Sequence, residues 1–248
     1  MSSKSSQTAA TETRKLAAIM FTDMVGFSRQ MGADEARTLR LLAIHNQVIE
    51  HAVATHQGHV IKTAGDGFLI EFSSVVHAVQ CAQDMQAQFH NHNLEKETSE
   101  QIHVRIGLHE GDILVQPNGD VLGDGVNIAS RLQTFTDPDT VCISQKVYDE
   151  VTKKIPLGTV ISLGRPKLKN IAERFHVYAL LPEPPKGVRQ TLQIQRLKLS
   201  RRVGTAHRMV AAGLVLIAAT IVAVRYLTRP PLSTQHSALS TAAAPAAL

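Results

Sequence analysis

Three short stretches of the chain carry charged or amide side chains where turns and helix faces alone leave them underexplained. In "IMFTDMVGFS", Asp23 directly follows an apolar run and precedes Gly26, where a loop can bring a carboxylate and open backbone amides to a metal-bound phosphate. In "VIKTAGDGFLIEF", Gly65, Asp66 and Gly67 suit a strand reversal, because Gly and Asp tolerate the backbone angles of a hairpin turn. The turn does not account for Lys62. In "DVLGDGVNIASRL", Asn127 and Arg131 lie four apart, so on one helix face both can point at one ligand. Each feature has a plainer competitor: a turn-capping aspartate at positions 23 and 66, and a solvated helix face at 127 and 131.

The segments between them supply the frame. "KLAAIMF" is expected to be a buried strand, and the fold starts near Arg14. "ADEARTLRLLAIHNQVIEHAVATH" follows as a helix, with Leu39, Leu42, Ile49 and Val53 at helical spacing. After the hairpin, Ser73 or Ser74 can cap a second helix that places Val75, Val79, Ala82, Met85 and Phe89 on one face and ends in the polar loop "HNHNLEKETSE". "IHVRIGLHEGDILV" reads as two strands joined at Glu110 and Gly111, "DGVNIASRLQTF" as a short helix, and "TVCIS" as a strand. "QKVYDEVT" reads as a helix opened by Ser144, and "RFHVYALL" as the last strand. Strand, helix, strand, strand, helix, strand is the order of an α/β (α+β) sandwich with a mostly antiparallel sheet. Asp124 suits the first turn of its helix, where the dipole favours a negative charge.

Composition narrows the function classes. With 248 residues there is room for one domain of about 150 to 200 residues plus flanks. The lack of Trp and the 4% aromatic content argue against a surface of stacking platforms, so no nucleic-acid partner is expected. Cys81 and Cys142 have neither CxxC spacing nor a secretory signal beside them, and read as unbridged thiols of a reducing compartment. The histidines of "HQGH" and "HNHN" lack a partner cluster at zinc spacing and read as solvated.

Charge is uneven. Residues 1–13 are small and polar and read as a disordered lead-in. From 182 to 208 a linker opens with "PEPPKG" and carries Lys186, Arg189, Arg196, Lys198, Arg201, Arg202 and Arg208. Next comes "MVAAGLVLIAATIVAV", uncharged and extendable through Leu227 if Arg225 snorkels, close to the roughly 20 residues a bilayer needs. Residues 209–227 are therefore expected to form a single transmembrane helix in the lipid bilayer, with a disordered tail over 228–248. A buried core helix is the competing explanation. The basic excess on the N-terminal side places residues 1–208 in the cytoplasm, and the chain in the cell's inner membrane as a single-pass protein.

The ordered motifs "FTDMVGFS", "IKTAGDGF" and "GDVLGDGVNIASRL" resemble, over residues 14–181, the catalytic domain of the class III nucleotidyl cyclases, the adenylate and guanylate cyclases. The resemblance implies a βαββαβ ferredoxin-like core related to polymerase palm domains, and a homodimer with active sites at its interface. It implies conversion of a nucleoside triphosphate to the 3′,5′-cyclic monophosphate and pyrophosphate. Position by position, it implies that Asp23 and Asp66, with the backbone carbonyl of Met24, bind two divalent cations, Mg²⁺ or Mn²⁺. It implies that Lys62 and Asp120 read the purine and that Asn127 and Arg131 serve the transition state. A Lys donor and an Asp acceptor suit adenine N1 and N6, so ATP is the expected substrate, whereas guanylate cyclases of the family carry Glu in place of the Lys. The chain departs from the family where a "KGKG"-like turn precedes the last strand. Here the turn reads "LKNIAER", and Lys169 or Arg174 stands as a possible triphosphate contact. A guanylate cyclase and a catalytically inactive cyclase-homology dimerisation module are the alternatives.

Overall fold

From Ala17 to Met24 the side chains alternate between two environments, and this alternation organises the molecule. Ala18, Met20 and Met24 join one buried cluster, while Ala17 and Ile19 join another with Phe21 packed against it. Such a strand is buried on both faces and must lie inside a sheet with cover on each side. The computed structural model describes residues 12–181. Its elements are β1 (Thr13–Met24), α1 (Phe27–Ala33), α2 (Glu35–Thr55), β2 (His59–Ala64), β3 (Gly67–Phe72) and α3 (Val75–Asn93). They continue with β4 (Val104–Val115), β5 (Val121–Leu122), α4 (Asp124–Phe135), β6 (Thr140–Ser144), α5 (Gln145–Val151), β7 (Thr159–Ser162) and β8 (Val177–Leu181).

The strands form one sheet in the order β2-β3-β1-β4-β6-β8-β7, with β5 paired to β4. The first four are antiparallel neighbours and, with α2 and α3, make the expected βαββαβ unit. The sheet as a whole is mixed rather than mostly antiparallel: β4 and β6 run parallel, because α4 carries the chain back between them. The larger cluster lies on the face covered by α2, α3 and α5, around Phe68, Ile70, Phe72, Met85 and Phe89. The smaller lies on the opposite face, where α4 packs on β1 and β4.

α4 comes very close to the sheet. A Cβ on Gly107 would lie 2.1 Å from the Gln133 backbone nitrogen and 2.5 Å from the Ala129 carbonyl, so the helix sits directly on the backbone of β4. Ser74 caps α3 by accepting from His77 N–H at 3.4 Å, and the expected stripe Val75, Val79, Ala82, Met85, Phe89 is buried.

Several expectations are corrected. β1 begins at Thr13 and runs through Asp23, which therefore sits within the strand rather than after it. Residues 104–115 form one strand, not two, since β1 pairs with all twelve positions and leaves Glu110 and Gly111 no turn to make. The buried stripe of α2 is Thr38, Leu41, His45, Ile49, Ala52 and Val53, while Leu39 is 48% exposed. α3 extends through His90 and His92, and the last strand starts at Val177. α1, β5 and β7 were not expected. Cys81 and Cys142 are both buried and unbridged. Among the described residues no helix is long and apolar enough to cross a membrane. The segments 1–11, 182–208, 209–227 and 228–248, with their expected lead-in, linker, span and tail, lie outside the described residues.

Candidate active site

Strand parity decides which face each polar group occupies. Asp23 falls with Ala17, Ile19 and Phe21 on the α4 face. Its cross-strand partner in β4 is Arg105, whose guanidinium is ion-paired with the Asp23 carboxylate. The Nε of Arg105 is buried without a partner. This arginine was missed from sequence, because only the pairing of β1 with β4 brings the two residues together.

Asp66 sits in the β2–β3 turn, next to Gly65 with φ 63. Met24 N–H donates to its Oδ2 at 3.0 Å, tying the hairpin tip to the end of β1. Burial raises the Asp66 pKa first, and the neighbouring Asp23 charge raises it further against the backbone donors. Two carboxylates so placed repel each other unless a cation or proton lies between them. Asp23 and Asp66, with the Met24 backbone at the same strand end, thus offer the oxygen donors that a hard divalent cation takes. Among the described residues no group of three or more His, Cys, Asp or Glu forms a ready-made metal cluster.

Lys62 lies on the same face as Asp23. The β2–β3 ladder pairs Val60 with Ile70 and then Lys62 with Leu69, leaving Ile61 as a bulge. Leu69 belongs to the cluster under α4, so Lys62 is turned out on that side. Its Nζ lies 3.9 Å from Asp120 Oδ2. Asp120 is held by the β4–β5 turn: Gln116 N–H donates to its carbonyl at 2.8 Å, and its own N–H donates to Asn118 Oδ1 at 3.0 Å. Gly119, with φ 83, supplies the left-handed residue this turn requires.

α4 spans the expected "DGVNIASRLQTF", with Asp124 as its first residue. Gly125, Ala129, Leu132 and Gln133 are its buried residues. Asn127 and Arg131 lie together roughly half a turn round the helix from that stripe, so they project away from their own sheet. The fold thus brings together Asp23 with Asp66, and Lys62 with Asp120, and directs Asn127 and Arg131 elsewhere. Lys169 and Arg174 are exposed on the connection between β7 and β8.

A cavity of about 700 Å³ opens farther along β4, between the N-terminus of α4, α5 and the β7–β8 connection. His109 lines it, stacked on Phe175 with ring centroids 5.9 Å apart, its Nδ1 2.8 Å from Ser144 Oγ. Burial, with Lys146 nearby, pushes the His109 pKa down to about 4, so this imidazole is neutral. None of the candidate site residues Asp23, Lys62, Asp66, Asp120, Asn127, Arg131, Lys169 and Arg174 lines the cavity.

The family model described as adenylate and guanylate cyclase catalytic domain matches residues 10–177. The chain is 40% identical over 178 residues to "Putative adenylate cyclase 3" of Rhizobium meliloti, covering 69% of this chain and 30% of that protein. The chain therefore spans less than a third of that relative's length. Among solved structures, the adenylate/guanylate cyclase/hydrolase from Silicibacter pomeroyi superposes with a TM-score of 0.65 at 32% identity, covering 70% of this chain and 100% of that one. The adenylyl cyclase CyaB from P. aeruginosa shares the fold, with a TM-score of 0.56 at 18% identity over 71% of this chain and 98% of that one.

Proposed function

Because the chain belongs to the adenylate and guanylate cyclase catalytic-domain family, we propose that it converts ATP to 3′,5′-cyclic AMP and pyrophosphate, at sites shared between the two chains of a homodimer. The observation that carries the choice of ATP is the meeting of Lys62 and Asp120 at 3.9 Å on the face that also bears Asp23. The ammonium donates to adenine N1 and the carboxylate accepts from N6, a polarity that guanine reverses. A wrong base leaves these groups unpaired, which is a strong basis for discrimination.

In the reaction the ribose 3′-oxygen attacks the α-phosphorus, the bond from that phosphorus to the bridging oxygen breaks, and the hydroxyl proton passes to solvent. Asp23, Asp66 and the Met24 carbonyl would hold two divalent cations, Mg²⁺ or Mn²⁺, which when bound would acidify the 3′-hydroxyl and neutralise the triphosphate. Arg105 orients the Asp23 carboxylate, as the outer partners of metal ligands do. Arg131 stabilises charge growing on the α-phosphate and bridging oxygen, and Asn127 orients the ribose. Lys169 or Arg174 contributes to holding the terminal phosphates.

The outward aim of Asn127 and Arg131 supports the shared site. Pointing away from their own sheet, they complete the carboxylates of a partner chain rather than their own, as a two-fold interface permits. The uncharged run 209–224, extendable through Leu227 if Arg225 snorkels, and its basic flank support a single-pass anchor in the inner membrane, with the domain cytoplasmic. Full-length chain recovered in the soluble fraction at high ionic strength, without detergent, argues against that anchor. The assay for the activity is product formation from ATP and from GTP with Mn²⁺ or Mg²⁺. Cyclic AMP from ATP is expected. No cyclic product from either triphosphate rejects the reading in favour of an inactive dimerisation module.

A further inference from the structure

The bulge in β2 adds a side chain that the strand register does not require. Val60 opposite Ile70 packs into the larger core, and Lys62 opposite Leu69 faces α4. Removing Ile61 would leave both pairings intact in a regular ladder, since Val60 and Lys62 would then be consecutive residues on opposite faces. The extra residue puts a second side chain on the α4 face at a single ladder position, directly beside the lysine. Ile61 is only partly buried there, packed against the smaller cluster that includes Leu69. Bulges concentrate next to active sites, where they re-aim side chains.

A base pocket needs what this arrangement supplies. Ligand pockets are lined mainly by apolar groups, with a few polar ones fixing orientation. Lys62 and Asp120 offer hydrogen bonds to a purine edge but no surface for its ring. We propose that Ile61 is an apolar wall of the base pocket, seated beside Lys62 by the bulge so that it covers the purine ring face while Lys62 and Asp120 read the edge. The proposal rests on the reading of Lys62 and Asp120 as base readers. A wall contacts the ring faces of both purines alike, so its loss weakens binding without changing which purine is preferred.

The test uses the full chain with Ile61→Ala, Ile61→Val and deletion of Ile61. Ile61→Ala and the deletion are expected to raise KM for ATP and for GTP about tenfold each, with kcat and the ratio between the purines little changed, and Ile61→Val to restore most of the loss. Equilibrium binding of 3′-deoxy-ATP, which lacks the attacking hydroxyl, should weaken in parallel. An Ile61→Ala chain that loses thermal stability but keeps wild-type KM and 3′-deoxy-ATP affinity overturns the proposal, leaving Ile61 as core filling. Lys62→Glu, run alongside, should shift the ATP-to-GTP ratio. If that ratio does not move, the underlying base-edge reading fails instead.

Discussion

The two faces of the sheet are built on opposite terms. Under α2, α3 and α5 the sheet meets large apolar side chains, with Phe68, Phe72 and Phe89 each nearly sealed from solvent. Even His45 is accommodated there, stacked on Phe89 and tilted against Phe68, with burial lowering its pKa. Under α4 the contact is made by absence of side chains: Gly107 lets the helix rest on β4, and Gly111 and Gly125 face each other so closely that a Cβ on Gly111 would lie 2.9 Å from the Gly125 Cα. That face has a small apolar cluster, and at its margins stand Asp23, Arg105, Lys62 and Asp120. One face supplies stability, and the other displays polar groups on a frame held rigid by the first.

If that division holds, substitutions on the two faces should separate stability from activity. The largest effect is expected for Phe68→Ala, which empties a sealed position and should cost about 3–5 kcal/mol of folding stability in denaturant titrations. Next is Arg131→Ala, expected to raise the barrier by about 2.7–4 kcal/mol in steady-state kinetics while leaving the melting temperature unchanged. Gly107→Ala should fall between the two classes. Its Cβ meets backbone, so α4 must shift at a cost of about 1–3 kcal/mol, and activity should drop further than stability because Asn127 and Arg131 ride on that helix.

The smallest effect lies away from both faces, at His103 and Asp139, 2.7 Å apart. The hydrogen bond to Asp139 raises the His103 pKa above its unfolded value of about 6.5. Its stabilisation is thus fully present below about pH 6.5 and lost as pH rises through the folded value. The pair is half exposed, so the effect should be well under 1 kcal/mol. Asp139→Asn, which tolerates the positive φ of that position, should flatten the pH dependence of thermal unfolding above neutrality.

The sealed face was the more legible in sequence. The stripe Val75, Val79, Ala82, Met85, Phe89 follows from helical period alone. The displayed face was legible in its residues but not in its geometry. Glycines that admit a helix look, in sequence, like breaks, which is why β4 reads as two strands split at Gly111. The pairing of Asp23 with Arg105 depends on a register between strands far apart in the chain, and the bulge at Ile61 on a mismatch visible only once both sides of the hairpin are paired. α1, β5 and β7 are short and carry too few residues to show a period. Leu39 fits the period of α2 yet remains exposed, since the covering elements determine how wide the buried stripe becomes.

The claim that the displayed face is completed by a second chain is tested most directly by mixing Asp23→Ala chains with Arg131→Ala chains, each nearly inactive alone. In a mixed dimer, one site collects both lesions and the other none. Random re-pairing gives mixed pairs in about half the dimers, each with one of two sites intact, so the mixture should recover roughly a quarter of wild-type activity if sites act independently. Tagged co-purification verifies the re-pairing. A mixture that re-pairs and stays as inactive as either parent contradicts the shared site.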